Sequence, residues 1–135
     1  MKNLLIKYTY LMSLILLIPS AATAETVLYC KDEIATGINK NNNNYESVRF
    51  ALNRYTIKFN SNFTSVSGLK RGNMKCHKPY PADIDPSVVC RMNPGYTFIF
   101  NPQTNRFHFS HVSSSGFIDY SDDTSHISVG SCEKF

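Results

Sequence analysis

The chain has 135 residues, 42% hydrophobic, 18% charged and 13% aromatic, with no Trp and a formal net charge of +4. Six Gly and six Pro exclude collagen-like and low-complexity chains, and the aromatic content excludes wholesale disorder. A single long apolar run excludes a polytopic helical membrane protein.

Residues 1–24 carry that run. Lys2 and Lys7 open the segment, Leu11, Met12, Leu14, Ile15, Leu16, Leu17 and Ile18 form its apolar core, and Pro19 ends it. Ala22-Thr23-Ala24 then supplies the small-x-small pattern of a cleavage site, so a cleaved secretory signal is expected, leaving 25–135 as a single domain. A membrane anchor is the alternative. The apolar stretch is too short to cross about 30 Å of hydrocarbon, and no basic cluster follows it. No Cys stands directly after Ala24, so no lipoprotein anchor is indicated. Loss of Lys2 and Lys7 leaves 12 basic residues against 10 acidic ones, a net charge of +2. A polyanion-binding module normally shows a larger excess, and no nucleic-acid partner is expected.

The expected exported part holds all four cysteines, Cys30, Cys76, Cys90 and Cys132. An even count in a small secreted chain implies two disulfides, for which sequence alone admits three connectivities. Strand order ranks Cys76–Cys90, which flank a Pro-rich turn, together with Cys30–Cys132, which join the first and last segments.

From residue 26 onward the period is two. Residues 26–31 read as a strand with Leu28 and Cys30 on one face and Val27 and Tyr29 on the other. Residues 32–45 are polar, contain Gly37 and four consecutive Asn, and read as a long solvated loop with one helical turn over 32–36. Residues 54–60 give the clearest alternation, Tyr55, Ile57 and Phe59 against Arg54, Thr56, Lys58 and Asn60. A turn at 60–62 allows 64–69 to return. Residues 73–77 and 87–92 form another pair around Pro79, Pro81 and Pro86, which forbid a strand between them. Residues 95–100 and 106–112 make an aromatic hairpin, and 117–120 and 125–129 complete the set, with Gly130 read as a bulge before Cys132. The expected fold is all-β, a small antiparallel barrel or sandwich of about eight strands stapled twice.

Candidate chemistry is sparse. His108 and His111 are three apart, which on a strand sends them to opposite faces, so no metal site is expected and no cofactor either. A hydrolase site would have to draw on His111, Asp119 or His126 around the loop over 113–125. That stretch lacks a Gly-x-Ser-x-Gly elbow and reads more simply as a turn. Arg54, Lys58, Lys70, Arg71, Lys75 and Lys78, with Arg49 nearby, lie on adjacent strand pairs and could share one outward basic patch. Tyr55 and Phe59 alternate away from those charges into the core, which argues against a nucleic-acid platform. The patch suits an anionic surface or a secreted protein, against the plainer reading of a solvated face.

The order Cys30-x-x-Glu33…Gly37, Phe50…Tyr55-x-Ile57-x-Phe59, Cys76…Cys90, Phe98-x-Phe100…Phe107 and Gly130-Ser131-Cys132-Glu133-Lys134-Phe135 resembles small exported proteins of marine alphaproteobacteria. The resemblance covers nearly all of 25–135 and implies a periplasmic destination without supplying catalytic residues. In architecture the chain is also similar to periplasmic lysozyme inhibitors, whose cleft-entering residues have no clear counterpart here. The reading that follows is a monomeric exported binding or protein-interaction module, not inserted in a membrane once its signal is removed. Its alternatives are a small hydrolase, or an inhibitor of one acting through the Pro-stiffened loop over 78–86.

Overall fold

A computed structural model describes residues 24–41, 44–70, 72–112 and 124–134. Among them are nine strands and no helix: β1 (Thr26–Asn41), β2 (Asn44–Arg49), β3 (Arg54–Phe59), β4 (Ser65–Ser67), β5 (Met74–His77), β6 (Val88–Met92), β7 (Tyr96–Asn101), β8 (Arg106–Val112) and β9 (Ser125–Lys134). All but the last residue of the expected leader, and the strand expected over 117–120, lie outside the described residues. No helix among the described residues is long and apolar enough to cross a membrane.

Every pairing is antiparallel. The order β1-β3-β4-β5-β6-β7-β8-β9 returns to β1 through a β1–β9 ladder, closing an eight-stranded barrel, and β2 is added alongside the far half of β1. Closure removes the exposed edges that an open sheet of these strands would leave. Eight strands enclose a space just wide enough for side chains to fill. The filling follows the alternation: Tyr55, Ile57 and Phe59 from β3, Tyr96, Phe98 and Phe100 from β7, and Phe107 from β8 are buried. Phe59 stacks on Phe100 at 5.6 Å, and Phe98 on Phe107 at 5.6 Å. Each ring fully buried stabilises the barrel by roughly 1.5–3 kcal/mol in transfer free energy.

Both disulfides join directly paired residues, Cys30 with Cys132 across β1–β9 and Cys76 with Cys90 across β5–β6. The first bridge therefore fastens the closing seam of the barrel.

The region after Cys30 departs from expectation. Residues 32–41 are the second half of β1, not a loop or helical turn, and they form a hairpin with β2. Cα partners keep one register from Thr36↔Arg49 to Lys31↔Arg54, so β2 and β3 run along β1 as one interrupted strand. Between those ladders Asp32 and Ala35 are buried while Glu33 and Ile34 both face out; opposite them Ala51 and Leu52 face out together. The alternation thus slips by one residue on both strands. Against β9 the slip is a bulge between Asp32 and Ile34. It sits on β1, so Gly130 is not the bulge. A Cβ on Gly130 would stand 2.0 Å from the Lys31 carbonyl oxygen and 2.7 Å from the Phe107 ring. Close approach of two strands and a ring explains this glycine.

Candidate functional site

The chain direction of each strand sorts the connections into two ends. One end carries residues 50–53, the β4–β5 connection with Lys70, the β6–β7 turn, and the chain ends at Val112 and Thr124. The other carries the turn over 60–64, the Pro-rich loop and the β7–β8 turn.

At the first end the apolar filling stops short. A cavity of ≈ 320 Å³ opens there, lined by Phe50, Ala51, Asn53, Tyr55, Lys70, Tyr96, Phe109, His111 and His126. Inward parity on three adjacent strands produces its wall: Tyr96 on β7 pairs with His111 on β8, and His111 pairs with His126 on β9. The rings pack on one another. Tyr96 stacks on His111 at 4.0 Å, Phe109 meets Tyr96 at 6.1 Å and His126 at 5.8 Å, and Phe50 sets its edge on His126 at 4.9 Å. Gly37 lets β9 come close beside this wall: a Cβ there would lie 1.9 Å from the Ser125 carbonyl oxygen and 3.0 Å from the Phe50 ring.

The floor is polar. Asp32, 5% exposed, points into the barrel, where its Oδ2 accepts from the Asn53 backbone N–H at 2.9 Å, from Asn53 Nδ2 at 3.3 Å and from the Tyr55 hydroxyl at 3.3 Å. A buried carboxylate is tolerable only when so partnered. Lys70 Nζ donates to Asn53 Oδ1 at 2.7 Å, which links the rim of the cavity to the buried acid through one amide side chain. Burial, and then the nearby Asp32 charge, push the Tyr55 hydroxyl up to about 12. Burial also lowers the His126 pKa, opposed by Asp32. Both groups are therefore neutral at pH 7: Tyr55 keeps its donor proton and His126 keeps a lone pair.

The residues singled out from sequence are distributed as follows. His111 and His126 come together in the cavity; Asp119 lies outside the described residues. Among the described residues no cluster of three His, Cys, Asp or Glu side chains could hold a metal. Lys70 stands at the cavity rim, and Lys78 at the opposite end, 5.5 Å above the Phe63 ring. Arg71 lies outside the described residues. Arg54 and Lys58 on β3 and Lys75 on β5 face outward, with β4 between the two strands. They are joined by Lys31, opposite Arg54, and by Arg91, opposite Lys75, which sequence reasoning passed over. Pairing register, legible once the hairpins are known, would have found both. Asp32, Tyr96 and Phe109 were also missed as site residues: the first was read as loop, the other two as core.

The Pro-rich loop between β5 and β6 is closed at its base by Cys76–Cys90. Ile84 N–H and Asp85 N–H both donate to the Pro81 carbonyl at 3.0 Å, and Ser87 N–H to Asp85 Oδ1 at 2.9 Å. Those bonds shape a turn that leaves Tyr80 56% and Ile84 73% exposed.

No protein-family model, curated protein or solved structure matches the chain.

Proposed function

We propose that this is an exported binding module whose ligand is a small ring-bearing molecule held in the cavity at the open end of the barrel. The wall of stacked Tyr96, Phe109, His111 and His126 rings carries this reading, because flat apolar walls with few convergent donors favour a planar, amphiphilic guest. Lys70 at the rim suits an anionic group on that guest. Two disulfides are compatible with an extracellular or periplasmic protein, and the sequence of residues 1–24 supports export. Binding is favoured over hydrolysis because the carboxylate beneath the cavity, Asp32, is engaged by Asn53 and Tyr55, and the described lining holds no Ser, Thr or Cys. The test is an NMR titration with 1-naphthoate. Ring protons of His111 and His126 are expected to shift together, and Lys70→Ala to weaken the effect. Shifts confined to the outer face of the barrel, or none up to the solubility of the probe, would overturn the reading.

A second reading rests on the Pro-rich loop. A disulfide-clamped turn presenting Tyr80 and Ile84 has the form of a protein-docking element, since binding energy concentrates in a few exposed apolar anchors on rigid supports. It supports inhibition of a secreted hydrolase such as lysozyme. Titrating the protein into a bacterial-cell lysis assay is expected to slow lysis by lysozyme, with the Tyr80→Ala, Ile84→Ala double variant inactive. An unchanged rate at excess protein would remove this reading.

A further inference from the structure

We infer that the guest of this cavity is an aromatic α-amino acid, bound as its zwitterion with the carboxylate at Lys70 and the ammonium group at the floor above Asp32. The inference rests on the cavity-binding reading and names the chemistry of its ligand. Asp32 carries the argument. Its side chain is 5% exposed; Oδ2 takes all three of its hydrogen bonds, and Oδ1 is buried without a partner. The three donors are neutral, and among the described residues no cation pairs with this carboxylate. Taking a charge out of water is costly unless an opposite charge answers it, so a carboxylate held by neutral donors alone leaves a negative field at the floor. Two lining residues lie within that field, since the Asp32 charge acts on both the Tyr55 hydroxyl and the His126 ring.

The groups above Asp32 suit an ammonium group. Tyr55 gives its proton to Asp32, so its oxygen can only accept from a guest. Among the described residues no hydrogen bond engages either nitrogen of His126, and burial keeps that ring neutral at pH 7, so one nitrogen can accept as well. Phe50, Phe109 and Tyr96 add ring faces, whose quadrupole attracts a cation. Lys70 sets the second charge. It donates to Asn53 Oδ1 at 2.7 Å, and Asn53 Nδ2 donates to Asp32 Oδ2 at 3.3 Å, so one amide side chain separates the two protein charges. That spacing suits opposite charges borne on a single carbon, laid antiparallel to the Lys70–Asp32 dipole. A plain acid leaves Asp32 unanswered, and a plain amine meets repulsion from Lys70. The stacked wall takes the ring of the guest.

The protein purified from the exported fraction of cells expressing the full chain is titrated by NMR with three probes. These are L-phenylalanine, 3-phenylpropionate, which lacks the amine, and phenethylamine, which lacks the carboxylate. Phenylalanine is expected to shift the ring protons of His111 and His126 with a dissociation constant roughly fivefold or more below that of either other probe. Asp32→Asn keeps an acceptor for Asn53 and Tyr55 and removes only the charge. It is expected to bring phenylalanine to the level of 3-phenylpropionate without weakening the latter, with near-UV circular dichroism establishing that the variant is folded. On the unaltered protein, N-acetyl-L-phenylalanine, its amine capped, is expected to lose the same advantage. 3-Phenylpropionate or the capped amino acid binding as tightly as phenylalanine overturns the inference and leaves the cavity reading standing. Probes that all leave the two histidines unmoved while 1-naphthoate shifts them do the same; failure of 1-naphthoate as well overturns both.

Discussion

Tyr55 and His126 both line the cavity at the open end of the barrel, and each carries a pH signature. The Tyr55 hydroxyl has a folded pKa of about 12 against an ordinary 10.0. Between those values the folded state holds the proton more tightly than the unfolded chain, so this contribution is complete below pH 10 and is lost as pH rises toward 12. The loss amounts to roughly 2–3 kcal/mol. Denaturant midpoints measured from pH 9 to 12 are expected to fall accordingly, and Tyr55→Phe to flatten that limb at the cost of one donor to Asp32. His126 behaves in the opposite sense. Burial lowers its folded pKa below 6.5, so its contribution is complete above pH 6.5 and declines as pH falls through the folded value. The C2 proton of His126 is expected to titrate in NMR with a midpoint below 6.5, and an ordinary or raised midpoint would contradict the burial described for this ring. Gly130 tests packing rather than charge. Gly130→Ala must separate β1 from β9 and also displace Phe107, a strain of about 1–3 kcal/mol that thermal denaturation would read as a lowered Tm.

At the scale of elements, the two disulfides do different work although both bridge directly paired strands. Cys76–Cys90 closes a short loop, a separation of 14 residues, and carries about 3 kcal/mol in the chain-entropy argument. Replacing both cysteines with Ala is expected to remove about that much stability and to free the Pro-rich loop, seen as faster amide exchange at Ile84 and Asp85. Cys30–Cys132 spans 102 residues and locks the seam, so its removal is expected to cost more, about 4–5 kcal/mol by the same argument. Comparing urea midpoints of the two double variants checks the order. The exposed Glu33–Arg106 pair, 2.8 Å at its shorter contact, also ties the bulge of β1 to β8, and Arg106 lowers the Glu33 pKa. An ion pair this open to water adds little to stability.

Over the whole molecule, ring closure makes protection from exchange a property of the barrel rather than of any single hairpin. Amides of β7, β8 and the barrel half of β1 are expected to exchange together at the slowest rate, and those of β2 much faster. The outward cations Lys31, Arg54, Lys58, Lys75 and Arg91 spread over β1, β3, β5 and β6, and they belong to a chain of modest net charge. Attraction to an anionic surface through them would be screened within about 8 Å at physiological salt.

Much of this was readable in the residue order. Alternation in β3 and β7 announced antiparallel strands and named their buried rings, because each of those strands turns one face to the core and the other outward. Four cysteines, two flanking a Pro-rich turn and two in the first and last segments, announced two bridges and ranked their pairing. The second half of β1 and all of β2 were hidden for two physical reasons. The outward double step at Glu33 and Ile34 shifts the period by one residue, and beyond it the hairpin leaves the barrel, so water reaches both faces and no alternation is selected. The cavity was hidden differently. His111 and His126 could be nominated one at a time, but Asp32 looked like the start of a loop and Tyr96 like ordinary core. Only barrel closure, which sets β9 against β1 and carries His126 to the side of Asp32, turns these scattered positions into a walled space with a polar floor. Local periodicity depends on which face of a strand meets water; the meeting of distant strands depends on register and seam, which no local stretch of sequence encodes.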